Sequence, residues 1–180
     1  DPADTADAAA GTDVPAVAAT DSDQDGLSDA EESLLGTNPL AVNSDTDNFG
    51  DLDELKALYN PAGDGKIIVN SNIEKYHNGE YNYSVYYVKN WTVKALAGAD
   101  SVIWQAPDGQ FIQIIVQPNI DKLPLDDWYK KEFEVFSVRP EQRVEKTGWS
   151  AIKSENGLNY YLKSDTGDNL FTVTYNMGIG

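Results

Sequence analysis

Sixteen of the thirty carboxylates in this 180-residue chain fall in its first 64 residues, where the single basic side chain is Lys56. Residues 65–180 hold the other 14 against 12 Lys and Arg. The aromatics divide the opposite way, with Phe49 and Tyr59 before residue 65 and 17 after it. A segment so acidic and so poor in large apolar side chains cannot fold by hydrophobic burial alone, because its like charges repel unless a cation lies among them. The chain therefore reads as an acidic module followed by a near-neutral, aromatic-rich domain.

Composition sets the outer bounds. Hydrophobic residues make up 41% of the chain, enough for a core and too many for full disorder. A net charge of −17 repels nucleic-acid backbones and anionic lipid surfaces and attracts multivalent cations. The absence of cysteine removes disulfides, zinc–thiolate sites, iron–sulfur clusters and thiol nucleophiles. No apolar run approaches the roughly 18 residues of a membrane span, and no basic-then-apolar leader opens the chain. The expectation is a cytoplasmic protein or an exported one whose leader is gone. Residues 1–20, mostly Ala, Asp and Thr with Pro2 and Pro15, have neither helical nor strand periodicity and read as a solvated linker.

Residues 21–65 carry an internal repeat. Asp21 to Asp45, Asp23 to Asp47 and Gly26 to Gly50 are offset by 24, whereas Asp29 to Asp51, Glu32 to Glu54, Asn38 to Asn60 and Pro39 to Pro61 are offset by 22. On this alignment the second copy lacks two residues after its glycine. Each copy is an acidic loop, a short helix and an Asn-Pro stop.

The first loop, Asp21-Ser22-Asp23-Gln24-Asp25-Gly26-Leu27-Ser28-Asp29-Ala30-Glu31-Glu32, puts oxygen donors at positions 1, 3, 5, 9 and 12 and glycine at 6. This is EF-hand calcium-loop spacing. Calcium takes six to eight oxygens at about 2.3–2.6 Å; Gly26 permits the tight wrap, Leu27 offers its carbonyl and Glu32 closes the shell from the following helix. Ser28 stands where paired EF-hands carry an aliphatic residue, and no amphipathic helix precedes Asp21. Together with Gly36-Thr37-Asn38-Pro39 and Asn43-Ser44-Asp45-Thr46-Asp47, the segment resembles the thrombospondin type 3-like calcium repeats of bacterial and archaeal surface proteins. The resemblance implies an extracytoplasmic protein with structural calcium held by Asp21, Asp23, Asp25, Leu27, Asp29 and Glu32. In the second copy Phe49 occupies a ligand position on the 24-residue offset, leaving Asp45, Asp47, Asp51 and Glu54 as donors, with Asp53 as a substitute. Such a loop either holds calcium with help from a carbonyl near Phe49 and water, or is vestigial, with Phe49 plugging a small core of Leu34, Leu35, Leu55 and Leu58.

Residues 66–180 read as α+β. Tyr81, Tyr83, Val85 and Tyr87 alternate toward Trp91 and Val93, and Ser101–Trp104 and Phe111–Val116 flank the turn Pro107-Asp108-Gly109. Leu125, Trp128, Tyr129 and Phe133 fall at helical spacing behind Pro124, with Asp126 and Asp127 at the positive helix end. Val144–Lys153, Leu158–Lys163 and Leu170–Tyr175 read as a meander joined by Asn-Gly and Thr-Gly turns. The stretch from Tyr83 to Val93, the strand at Phe111–Val116 and the helix at Leu125–Tyr129 resemble a PsbP-like domain, with Val88 in place of the family's proline. That resemblance covers roughly residues 73–180 and implies an antiparallel sheet between helices, closed by a further helix, whereas this sequence ends at Met177-Gly178-Ile179-Gly180.

Catalytic groups are sparse. His77, the only histidine, reads as an exposed loop residue in Tyr76-His77-Asn78-Gly79, and no phosphate loop, nucleophile elbow or HExxH motif occurs. The expectation is a non-enzymatic, calcium-rigidified surface or envelope protein, tethered through a segment preceding Asp1, whose aromatic domain binds an unknown protein or surface polymer. The competing expectations are an exported enzyme or carbohydrate-binding protein with the repeat as spacer, and a dockerin-like pairing module. Exposure of Trp91, Trp104, Trp128 and Trp149 around a pocket favours the former; an open apolar strip on the two repeat helices favours the latter.

Overall fold

The computed structural model describes residues 19–96 and 98–176. Most of the linker read over residues 1–20 and the end at residues 177–180 lie outside them. The chain divides into two compact units, residues 1–65 and 66–180.

The first unit holds two short helices, α1 (Asp29–Leu35) and α2 (Asp51–Lys56). Ser28 starts α1 with a capping box: its hydroxyl accepts the Glu31 N–H at 3.3 Å, and the Glu31 carboxylate accepts the Ser28 N–H at 2.8 Å. Gly36 ends the helix at φ 82°, a left-handed conformation that suits a residue without a Cβ. Among the described residues of this unit the buried apolar ones are Leu27, Leu35 and Pro61; Leu55 is half-buried, while Leu34 and Leu58 are exposed and Phe49 is 63% exposed. The expected four-leucine core with Phe49 as its plug is thus not formed. Carboxylates take much of the interior instead: Glu32, Asp51 and Glu54 are all buried.

The second unit is built on a seven-stranded antiparallel sheet, giving the protein a mixed, strand-rich architecture with few helices among the described residues. A hairpin of β1 (Ile73–Asn78) and β2 (Tyr83–Val88) stands apart from it. The sheet comprises β3 (Thr92–Ala95), β4 (Ser101–Gln105), β5 (Phe111–Pro118), β6 (Arg143–Lys146), β7 (Trp149–Lys153), β8 (Asn159–Ser164) and β9 (Asn169–Asn176), ordered β3-β4-β5-β9-β8-β7-β6. Two sequence readings change: the run from Tyr81 to Val93 divides between β2 and β3, and Val144–Lys153 folds back as the β6–β7 pair. Ile67-Ile68-Val69 forms a 3-10 turn.

Strand alternation sends successive residues to opposite faces. On β9, Phe171 and Val173 join Val102, Trp104, Ile114 and Val116 beneath the hairpin, whose Tyr76 and Tyr83 meet Trp104 and Phe171 edge-on at 5.3 and 5.7 Å. Leu170 lies on the other face with Ile152 and Tyr161, covered by α3 (Leu125–Glu132) through Leu125, Trp128 and Tyr129. Where the PsbP resemblance implies a helix on each face, one face here carries a hairpin. The alternating Tyr83, Val85 and Tyr87 supply the apolar side that lets a two-stranded ribbon do this. Pro124 precedes α3 as its N-cap, and Asp126 pairs with Arg143.

Candidate metal centre

The hydrogen bonds of the first unit reveal a repeat of constant length. Gln24 N–H donates to Asp21 Oδ1 at 2.8 Å, and 22 residues on Thr46 N–H donates to Asn43 Oδ1 at 2.8 Å. Asp25 N–H reaches Asp23 Oδ1 and Asp47 N–H reaches Asp45 Oδ1; Leu27 N–H reaches Asp25 Oδ1 and Phe49 N–H reaches Asp47 Oδ1. Gln24 and Thr46 share the same left-handed φ, 66° and 65°. Past the helices, the Thr37 N–H donates to the Glu32 carbonyl and the Tyr59 N–H to the Glu54 carbonyl. The single offset of 22 holds throughout, so the second loop has all twelve residues, Asn43 to Glu54, and the two-residue gap disappears. Asn43 corresponds to Asp21, Asp45 to Asp23, Asp47 to Asp25 and Phe49 to Leu27. Asn43 is the residue that sequence reasoning missed. Its signal was the shared Ser-Asp-x-Asp of residues 22–25 and 44–47, obscured by aligning Gly50 with Gly26.

In the first loop, oxygens of Asp21, Asp23 and Asp25 lie within 4.8 Å of one another; in the second, Asp45, Asp47 and Glu54 do the same. Donors around one calcium ion at 2.3–2.6 Å are at most about 5 Å apart, so both groups fit within one coordination shell. Within each aspartate of the first loop Oδ1 folds the loop onto itself, which leaves Asp23 Oδ2 and Asp25 Oδ2 buried without a partner. Glu32 is 0% exposed; Thr37 donates to its Oε1, and its Oε2 has no partner. Glu54, 7% exposed, leaves its Oε2 equally unpartnered. Four orphaned carboxylate oxygens in so small a unit are costly unless a cation receives them. Burial, then Asp23, raises the Glu32 pKa above its ordinary value. Burial, followed by Asp45 and Asp47, pushes Glu54 up to about 7.

Asp29 and Asp51 stand apart from both groups. Asp29 accepts the Ser22 N–H at 2.9 Å and the Ser22 hydroxyl at 2.8 Å; Asp51 accepts the same pair from Ser44 at 2.8 and 2.6 Å. Each carboxylate thus ties the start of its helix to the start of its loop. Leu27 anchors the first loop by its buried side chain, and a Cβ on Gly26 would lie 2.9 Å from Leu52 Cδ2, so this glycine also lets the second repeat close against the first. Asp53 is exposed.

The second unit offers a cleft of about 590 Å³ between β2 and the face of β7–β9, with Tyr81, Tyr83, Trp149, Leu162 and Phe171 among its walls. Trp104 and Trp128 are core residues, Trp91 packs beneath the hairpin, and Trp149 is 36% exposed at the cleft. His77 lies on β1 rather than in a turn, exposed, with Nδ1 3.1 Å from Ser84 Oγ across the hairpin.

Residues 21–41 match the family model of the bacterial TSP3 repeat. No curated protein and no solved structure matches the chain. The match spans the first loop and α1, and it supports a calcium-type repeat there.

Proposed function

We propose that the chain is a non-enzymatic, extracytoplasmic surface or envelope protein in which calcium organises the first unit and the second, PsbP-like unit binds or assembles with another molecule. The observation that carries the calcium reading is the buried Glu32 carboxylate with its unpartnered Oε2, in a loop whose Asp23 and Asp25 also point unpartnered oxygens inward. Asp21, Asp23, Asp25 and Glu32 would hold the ion, with the Leu27 carbonyl as the resemblance implies. Bound calcium supplies the positive charge that offsets their mutual repulsion. Asp29 acts from outside this set by fixing Ser22, and Ser28 fixes the helix from which Glu32 projects.

A structural rather than catalytic role for the whole agrees with an exposed His77 bonded only across its hairpin. The antiparallel sheet with α3 on one face supports the PsbP-like assignment. The surface placement is proposed on the resemblance of this segment to the calcium repeats of surface proteins. Isothermal titration of the full chain with calcium tests the reading: wild type binds, and Glu32→Gln loses the tightest step. A wild-type chain that takes up no calcium at millimolar concentration would sink it.

A second reading has its own support. Trp149, Tyr81 and Tyr83 around a cleft of about 590 Å³ suit a binding protein for a small ligand, with the calcium unit as spacer. Carbohydrate-induced change in tryptophan fluorescence that is absent in Trp149→Ala would favour it. The dockerin-like alternative has less in its favour, since of the exposed large apolar residues described in the first unit Leu34 lies on α1, whereas Leu40, Val42, Phe49, Leu58 and Tyr59 lie outside both helices.

A further inference from the structure

We infer that Asn43–Glu54 is a second, complete divalent-cation loop, with the side-chain oxygen of Asn43 in the place of Asp21, Asp45, Asp47 and Glu54 as charged ligands, and Asp51 as a positioning residue rather than a ligand. The inference rests on the calcium reading of the first loop and extends it to a segment beyond the matched repeat, which ends at residue 41.

Three independent observations support it. Oxygens of Asp45, Asp47 and Glu54 converge within 4.8 Å although they come from both ends of the loop. Glu54, a member of that group and more than nine-tenths buried, has an unpartnered Oε2. The backbone that presents these groups repeats the first loop's bonds at Gln24, Asp25 and Leu27 at an offset of 22, with the left-handed Thr46 and the Ser44–Asp51 clamp, and departs from it where Gly26, at φ 99°, donates to Asp21 Oδ2 and Asn48 has no positive φ. A vestigial loop has no reason to keep a carboxylate buried and unpaired, because a Glu that no longer binds loses nothing by turning to solvent.

The set assigns the chemistry. All donors are oxygens, and neither histidine nor cysteine is among them, so the site suits a hard cation such as calcium rather than zinc or copper. Three carboxylates and one amide bring one charge less than the four carboxylates of the first loop. Affinity in such loops follows ligand charge, so the second loop is the weaker.

Asp51 has both oxygens engaged by Ser44, whose hydroxyl in turn accepts the Asn38 N–H at 2.7 Å. The chain Asp51–Ser44–Asn38 therefore ties the second loop to the end of the first repeat.

Calcium titration of the full chain, read by native mass spectrometry for stoichiometry and calorimetry for affinity, tests the inference. Wild type should bind two ions. Glu54→Gln should bind one and keep the tighter step, while Glu32→Gln should keep a single weak step. Asn43→Asp, which restores the missing charge, should tighten the weaker step about tenfold and leave the other unchanged. One ion in wild type, lost in Glu32→Gln and untouched by Glu54→Gln, overturns the second loop and leaves the first standing; no ion at all overturns both. A weaker step that responds to Glu54→Gln but not to Asn43→Asp overturns the ligand assignment. Where Glu54→Gln abolishes both steps, Asp45→Asn decides: loss of the weaker step alone supports the site, and any other result overturns it.

Discussion

The two acidic loops share most of their backbone turns and differ in what holds them. At the position before the N-cap, the first loop has Leu27, 3% exposed, and the second has Phe49, 63% exposed. At the cap itself, Ser28 closes a capping box, and Gly50 has no side chain to offer. At the head of the loop stand Asp21 and Asn43. One copy thus combines an apolar anchor, a cap and a fourth charge, whereas the other relies on its buried carboxylates and the serine clamp. The same loop geometry can be kept by different means, and the copy with fewer supports depends more on its ion.

The largest expected effect is removal of that ion. In differential scanning calorimetry of the full chain, chelation should lower one transition, that of the acidic unit, and leave the aromatic unit's transition in place. At calcium 100-fold above Kd the linkage contributes about 2.7 kcal/mol per site. A chelator-insensitive first transition would show that the buried carboxylates are stabilised by something other than a cation.

Substitution at the paired anchors comes next. Leu27→Ala should destabilise the acidic unit by about 2–5 kcal/mol, because a fully buried leucine leaves a cavity. Phe49→Ala, at the equivalent but exposed position, should cost less than about 0.5 kcal/mol. Equal losses in chemical denaturation would mean that Phe49 is covered in solution and that the asymmetry between the copies is smaller than their exposures indicate.

Much of this was legible in the sequence because calcium loops are written locally: donor spacing, glycine and the closing glutamate sit within twelve residues. What was misread was the register of the second copy, since Gly50 offered a false match to Gly26. In the structure Gly50 is a helix N-cap, and Asn48, opposite Gly26 in the repeat, does not need a positive φ. A glycine can serve a loop turn or a helix start, and the one-letter code does not distinguish them; the serine and aspartate pairs did. Much of the sheet was legible through alternation and Gly turns, while the breaks that separate β3 from β2 and β6 from β7, and the hairpin lying across the sheet, were not. His77 and Asn78 are polar, so β1 carries no alternation of its own, and only its pairing with Tyr83–Val88 makes it a strand. That Glu32, Asp51 and Glu54 are interior residues was likewise unreadable, because burial of a carboxylate depends on what the rest of the unit packs around it.

A smaller effect separates the loops by pH. The Glu54 carboxyl, pushed up to about 7 by burial and then by Asp45 and Asp47, holds its proton in the calcium-free fold at pH values where the unfolded chain, near 4.5, has lost it. The folded state therefore binds more protons across that interval, and the stability of the calcium-free unit should be fully present below about 4.5 and decline as pH rises through about 7. Calcium must displace the same proton, so the weaker binding step should lose affinity as pH falls below about 7. Calorimetry in buffers of different ionisation enthalpy should detect proton release on calcium binding near neutral pH, and Glu54→Gln should abolish the component belonging to the weaker step. A weaker step independent of pH between 5 and 8 would remove Glu54 from it.

The smallest effect asks whether the cap can be transferred between copies. Gly50→Ser would place at the head of α2 the residue that caps α1, and serine in place of glycine at an N-cap is worth a few tenths of a kcal/mol. The backbone there is already extended, at φ −85° and ψ 153°, so no conformational change opposes it. Space does: a Cβ on Gly50 would lie 3.0 Å from the Val42 carbonyl oxygen, the same oxygen that accepts the Asp51 N–H at 3.0 Å. To admit the serine, Val42 must shift and loosen the bond at the start of the helix that carries Glu54. The gain and the cost are of similar size, and the expected change in stability is within about 0.5 kcal/mol of zero. Stabilisation by 1 kcal/mol or more in a denaturant melt would mean that the Val42 carbonyl yields freely. In that case the missing cap, rather than the missing charge at Asn43, would be the main difference between the two loops.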